Sequence, residues 1–221
     1  MSKLYVVPTP IGNLRDITLR AIQVLQDVDY IFCEDTRRTK ILLEYYGIKN
    51  KKLISYFAPK EEKKIPLLLE ILRKHKCALI VDAGMPSISD PGYKLIKSCI
   101  ENNIEVEVLP GPSAFLTALV GSGLPTDKFI FLGFLPKKGI KPSLEKIKDL
   151  KMTIIFYESP KRIEKTLKII NEIFDNCEVV IAREISKVYE EYIRGRIKDI
   201  INQLKDRKLK GEITVILRKI D

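Results

Sequence analysis

Residues 77–92 read CALIVDAGMPSISDPG. Cys77 to Val81 is an unbroken apolar run of strand length, as expected of a strand buried on both faces. Asp82 to Gly92 then holds Gly84, Pro86, Pro91 and Gly92. Those residues fix a backbone that continues neither strand nor helix. A helical pattern follows from Tyr93 to Asn102. A buried strand, a shaped loop and a helix make the repeating unit of a parallel sheet. The loop falls at the carboxyl end of its strand, where α/β folds bind ligands.

Working outward, the same alternation recurs. Leu4 to Val7 reads as a first strand ending at Pro8. Asp16 is a candidate N-cap, and Ile17, Ala21, Val24, Leu25 and Val28 share one helix face. Tyr30 to Cys33 is the second strand, and Arg37 to Tyr46 a helix stopped by Gly47. Lys52 to Phe57 is a strand, followed by a helix that Pro66 begins or kinks. Glu105 to Leu109 is a strand, and Pro110-Gly111-Pro112-Ser113-Ala114 opens a helix ending near Gly121. Gly121-Ser122-Gly123-Leu124-Pro125 marks a boundary or hinge. The second half is strand-rich, with runs at 129–134, 152–157, 178–182, 189–194 and 213–217. Helices fall at about 143–150, 162–174 and 198–204. The pattern predicts an α/β protein of two α/β domains, residues 1–120 and 121–221, with a ligand cleft between them.

Composition narrows the chemistry. The 221 residues carry 39 Lys plus Arg against 29 Asp plus Glu, a net charge of +10. With 45% hydrophobic residues, this is the composition of a folded globular chain. The single histidine, His75, excludes a multi-histidine metal centre within one chain. A Ser-His-Asp hydrolase would have to use it, yet Lys74-His75-Lys76 reads as the cationic end of a helix. The four cysteines, Cys33, Cys77, Cys99 and Cys177, form no CxxC pair. They read as buried free thiols of a reducing compartment, so no metal is expected. No stretch has the roughly 20 apolar residues of a membrane span, and no signal peptide is evident. A cytoplasmic protein with no membrane association is the expectation. The excess positive charge suggests a polyanionic partner.

Four loops are candidates for the chemistry. Pro8-Thr9-Pro10-Ile11-Gly12-Asn13 stands where a dinucleotide fold carries GxGxxG, but two prolines remove N–H donors that would cradle phosphate. Asp82 to Gly92 offers carbonyls and the carboxylates of Asp82 and Asp90, which suit a cationic or hydroxylated ligand better than a polyphosphate. Asp90 is equally readable as an N-cap. In the third loop, Pro112 can start a helix while Ser113 offers a hydroxyl and an N–H. Cys33-Glu34-Asp35-Thr36-Arg37-Arg38 is either a capped helix with a solvated basic face, or a carboxylate and an arginine at a cleft rim. Neither GxxxxGK[ST] nor GxSxG occurs.

Taken together and in order, LYVVPTPIGNL, CEDTR, DAGMPSISDPG, LPGPSA, FYESPKR and AREISKVYEE resemble the tetrapyrrole methylase family. The match runs from Leu4 to about Leu217. Within the family, the sequence is similar to the branch that methylates a cytidine 2′-oxygen of small-subunit ribosomal RNA. The resemblance implies S-adenosyl-L-methionine as cofactor, two α/β domains and a homodimer. Carried over by motif, Ile11, Ala83, Gly84, Pro86, Ser113 and Ala114 would meet the cofactor. Tyr157 and Ile213 match adenosine-contacting positions. Met85 stands where the branch more often has threonine, and longer members continue past the equivalent of Leu217.

A ribose 2′-hydroxyl is a poor nucleophile near neutral pH, so a base would help. Glu34, Asp35, Glu158, Glu184 and Lys187 are the candidates. Glu34 or Asp35 is the expected base or orienter, with Arg37 as a phosphate or ribose contact. Three cationic clusters could meet RNA: Arg37, Arg38 and Lys40; Lys137, Lys138 and Lys141; and Lys161, Arg162 and Lys165. Tyr157, Phe134 and Tyr56 are candidates to stack on an unpaired base. Two other readings fit the same fold, a methylase of a small acidic tetrapyrrole and a non-catalytic RNA-binding factor.

Overall fold

A computed structural model describes residues 3–57 and 61–220. Its contacts divide the chain into two compact units, the first ending at Ser113 and the second beginning at Ala114. In the first unit five strands lie in the order β3-β2-β4-β1-β5. They are β1 (Lys3–Val6), β2 (Tyr30–Cys33), β3 (Lys52–Ser55), β4 (Lys76–Ile80) and β5 (Glu105–Val108). Every pairing is parallel. The crossovers carry α1 (Leu19–Asp27), α2 (Thr36–Tyr45), α3 (Glu61–Leu72) and α4 (Tyr93–Glu101).

Helices on both faces explain the continuous apolar strands. Ile31, Ala78 and Ile80 pack with Ala21, Leu25, Leu42 and Leu43 of α1 and α2. Their neighbours Phe32, Cys77 and Leu79 pack with Leu68, Leu72, Leu95 and Cys99 of α3 and α4. Successive residues of a strand thus feed opposite layers. All four cysteines are free and buried. Burial pushes the Cys77, Cys99 and Cys177 thiols up to about 12.

The second unit holds β6 (Phe129–Phe134), β7 (Thr153–Glu158), β8 (Cys177–Arg183), β9 (Glu191–Arg196) and β10 (Ile213–Lys219). Their order is β6-β7-β10-β8-β9. Only β6 and β7 run parallel, and the other pairings are antiparallel. One face is buried by α6 (Ile140–Glu145), α7 (Ile163–Phe174) and α8 (Ile197–Leu204). On the same sheet, α5 (Ala114–Ser122) contacts β7, β8, β9 and β10.

Several sequence expectations shift. The break falls at 113/114 rather than 120/121, because α5 packs on the second sheet with Ala118, Leu119 and Ser122 buried. Gly121 is no hinge: the Tyr192 ring lies 2.6 Å from where its Cβ would be. Arg194 Nε also donates to the Ser122 carbonyl at 3.3 Å. Thr18, not Asp16, caps α1, its hydroxyl accepting from the Ala21 N–H at 3.1 Å. Pro66 lies inside α3 rather than at its start. The helix foreseen at 143–150 sits at Ile140–Glu145. His75 lies beyond α3, 3.2 Å from Asp29 and with its ring 4.9 Å from that of Tyr30, so it serves the packing of this corner.

Candidate functional site

In an all-parallel sheet, the segments that follow the strands leave from one edge. The loops after β1, β2, β4 and β5 therefore emerge together, as the sequence motifs require. Three of them are joined directly. The Thr9 N–H donates to the Gly84 carbonyl and the Gly84 N–H to the Thr9 carbonyl, each at 3.0 Å. The buried Thr9 hydroxyl donates to the Val81 carbonyl at 2.9 Å. Gly84 has φ +82°, where an L side chain is strained. A Cβ there would reach Ile11 at 3.5 Å and the Pro112 carbonyl at 3.9 Å. At Gly111 a Cβ would sit 2.7 Å from the Pro8 ring, so only glycine allows that approach.

Ile11 and Pro86 are buried in this assembly, while Ala83 and Ser113 are half-buried at its surface. Ser87 and Ser89 hold φ of +76° and +65°, and the Ser87 N–H donates to the Pro91 carbonyl at 3.2 Å. Two strained non-glycine residues in one ligand-side loop are a functional signal that sequence does not show. Asp90 does not cap α4, whose N-cap is Gly92 at φ +145°.

The acidic residues after β2 and β4 face each other, since Cys33 pairs with Ile80. Asp35 caps α2. Its Oδ1 accepts the Arg37 N–H at 2.8 Å, and its Oδ2 lies 2.6 Å from the Arg37 guanidinium. The Arg37 bonds hold the Asp35 carboxyl down at about 2. Its N–H donates to Asp82 Oδ1 at 3.1 Å, and Arg38 Nη1 stands 3.4 Å from Asp82 Oδ2. Glu34 is half-buried. Burial first, and the neighbouring Asp82 charge second, push its carboxyl above the ordinary range. Asp82 is raised too, chiefly by burial. A pocket of about 180 Å³ opens here, lined in part by Thr9, Pro10, Arg38, Ile41 and Asp82.

In the second unit, β6, β7 and β8 end at the edge where β10 begins, because Ile213 pairs with both Glu158 and Arg183. Tyr157 is half-buried there, its ring 5.0 Å from Phe131 and 5.3 Å from Phe134. Ile213 is 3% exposed and belongs to the helix-covered core, so its side chain does not serve as a surface contact. Glu158 is also fully engaged. It accepts from the Ser159 N–H at 2.6 Å, the Thr166 hydroxyl at 2.7 Å and the Arg162 guanidinium at 2.7 Å. That set makes it a structural post rather than a base.

Glu184 and Lys187 neutralise one another. Lys187 Nζ lies 2.8 Å from Glu184 and 3.0 Å from Glu212. The Lys187 bond lowers the Glu184 carboxyl. Burial alone would lower Lys187, but its two carboxylate partners outweigh that and raise it. Neither is poised to take a proton near pH 7. Tyr56 is wholly buried and cannot stack on a base.

Among the described residues, no group of three or more His, Cys, Asp or Glu could hold a metal ion. No described helix is long and apolar enough to cross a membrane.

Comparison with known proteins agrees with this architecture. The family model for tetrapyrrole (corrin/porphyrin) methylases matches residues 3–201. A relative from a Hydrogenobaculum species, named ribosomal RNA small subunit methyltransferase I, is 56% identical over 98% of this chain and 96% of its own. The Thermotoga maritima protein of that name is 48% identical over 98% of each chain. The Halalkalibacterium halodurans protein of that name is 46% identical, and this chain spans 75% of it. Two solved structures share the fold. Diphthine synthase superposes with TM-score 0.78 at 15% identity, covering 99% of this chain and 90% of that one. A cobalt precorrin-4 methyltransferase superposes with TM-score 0.74 at 18% identity, covering 98% and 95%. Parallel-edge loops joined through Thr9 and Gly84, a mixed second sheet and this near-full-length likeness place the chain in the tetrapyrrole methylase family, beside the relatives named ribosomal RNA small subunit methyltransferase I.

Proposed function

We propose that this chain transfers a methyl group from S-adenosyl-L-methionine to a cytidine 2′-oxygen of small-subunit ribosomal RNA. The observation that carries the reading is the 56% identity, over nearly the whole of both chains, to a relative named for that RNA. The first-unit loops fit the cofactor. They offer carbonyls and carboxylates, lack a glycine-rich phosphate cradle, and keep Gly84 free of a side chain that would fill the space beside Ile11 and Pro112. When bound, the cofactor supplies an electrophilic methyl group on a sulfonium.

Ile11, Ala83, Gly84, Pro86 and Ser113 hold it, chiefly through backbone and apolar contact. Ala114 and Tyr157 are further contacts implied by the family motifs. Positioning is the protein's main contribution, because a near-attack arrangement removes much of the entropic barrier. Glu34 takes the 2′-hydroxyl proton on its carboxylate, since its burial makes it a stronger base than an exposed glutamate. Asp35 fixes the start of α2 and orients Arg37, which meets the ribose or its phosphate. The chain works in the cytoplasm, where buried free thiols stay reduced, and assembles as a homodimer. Its mass in solution is then twice the chain's 25.4 kDa.

The test is transfer of labelled methyl to small ribosomal subunits that lack the modification, with mapping of the labelled nucleotide. Label at a cytidine 2′-oxygen is the expected result. Label on a porphyrinogen offered in parallel, and none on the subunits, would overturn the reading.

A further inference from the structure

Strand β6 carries a bulge. It pairs in step with β7 from Phe129 opposite Thr153 to Phe131 opposite Ile155, then slips so that Phe134 stands opposite Tyr157. Gly133 absorbs the extra residue at φ +63°. In a regular strand, position 133 would oppose Tyr157, and Phe134 would point to the other face with Glu158. The bulge therefore turns Phe134 onto the face of Phe131 and Tyr157, a re-aiming that bulges perform near functional sites.

The result is a large apolar ring held out in solvent. Phe134 is 61% exposed. It is backed by Tyr157 at 5.3 Å, and Tyr157 packs edge-on against Phe131 at 5.0 Å. Phe131 in turn stacks on Phe115 of α5 at 4.3 Å. Of the other exposed rings, Tyr93 and Tyr189 have no such backing among the described residues, and Tyr45 has Tyr46 edge-on behind it at 5.0 Å. The chain just beyond Phe134 is also fixed. Both Arg162 Nη atoms donate to the Leu135 carbonyl at 3.2 Å, and Arg162 is itself anchored on Glu158. Lys137 and Lys138 follow, exposed and without an ion pair among the described residues.

A pre-positioned aromatic face beside unpaired cations has the chemistry of a single-stranded nucleic-acid contact, in which a base stacks and its phosphates meet lysines. We propose that Phe134, backed by Tyr157, is the platform on which an unpaired base of the RNA substrate stacks, with Lys137 and Lys138 meeting the adjoining phosphates. The choice of RNA as occupant rests on the proposed function and on these two cations.

The test uses the full chain and four variants, F134A, F134L, F134W and K137A/K138A, each first checked for an unchanged melting temperature. One readout is the KM for small subunits. A second is quenching of a single-stranded oligoribonucleotide carrying 2-aminopurine, which does not depend on methyl transfer. F134A is expected to raise KM and weaken oligonucleotide binding about 5- to 150-fold. F134W restores both, and affinity for S-adenosylmethionine stays unchanged by calorimetry. K137A/K138A lowers the salt slope of oligonucleotide binding by about 1.4. Wild-type KM and quenching in F134A would overturn the proposal, as would an F134L variant that matches F134W. If the wild type quenches the probe but methylates no RNA, the platform stands and the assigned reaction falls.

Discussion

Glu34 and Asp35 are adjacent in sequence and opposite in behaviour. Asp35 is tied to Arg37 and to the start of α2, and it stays ionised down to about pH 2. Glu34 is held above its ordinary value of 4.5 by burial and by Asp82. If Glu34 is the base, it must be deprotonated to act, so activity rises with pH through its raised pKa. E34Q is expected to lower kcat by about 10²- to 10⁴-fold, remove that acid limb from the pH–rate profile and leave cofactor affinity unchanged. Single-turnover rates from pH 5 to pH 9 check this. A second outcome concerns Gly84 and Met85. Valine at position 84 would meet φ +82°, so G84V should weaken S-adenosylmethionine binding about 5- to 150-fold. M85T should change it by less than about twofold if the loop is read through its backbone. Isothermal titration of both variants decides. CEDTR marks a candidate site in the sequence, but the contrast within it does not show there, because it depends on Asp82 arriving from another strand.

At the level of elements, apolar runs buried on both faces mark central strands such as β4 and β10, whereas the edge strands β3, β5 and β9 show only as short stretches of mixed, partly buried residues. Helix starts were less legible, because a cap is chosen by geometry among several eligible residues. Asn13, Asp16 and Thr18 could each cap; Asn13 closes a short turn by accepting from the Arg15 N–H, and Thr18 starts α1. The start of α6 was missed because Gly139 begins it in a left-handed conformation, with Pro142 within the helix. Glu158 stands among the candidate bases in the sequence because nothing in FYESPKR shows that its carboxylate faces inward, to Ser159, Thr166 and Arg162. Its partners tie the end of β7 to the first turns of α7. E158A would leave the Arg162 charge and the Thr166 hydroxyl without their buried partner. It should destabilise the chain by about 3 kcal/mol, and urea titration at constant m-value reads this directly.

Across the whole molecule, the +10 is the excess left after every carboxylate is counted, so ion pairs do not reduce it; they decide which cations carry it. Lys3 lies between Glu105 and Glu107, each at 2.7 Å. Arg37, Arg38, Lys141, Arg162, Lys187 and Arg207 each face a carboxylate as well. Several of these were RNA candidates in the sequence, where a cation's partner cannot be seen. In the second unit the clusters around Lys137 and Lys161 do start from one edge, where β6 and β7 end side by side. If these cations meet RNA, affinity for small-subunit RNA should fall with a log–log salt slope of roughly 0.7 to 0.9 per phosphate met. Affinity for S-adenosylmethionine, which has no phosphate, should be nearly flat from 50 to about 300 mM salt. Filter binding and calorimetry over one salt series compare the two.

The paired amides of Thr9 and Gly84, with Pro8 seated on Gly111, have a consequence in time as well as shape. Loops joined in this way have little conformational freedom left to surrender when a ligand arrives. Encounter therefore need not wait for a rare open or ordered form to be sampled, and the first unit can accept its ligand as fast as diffusion and orientation allow. Selectivity then resides in how long a molecule stays, because a rigid cradle cannot remould itself around a near-match.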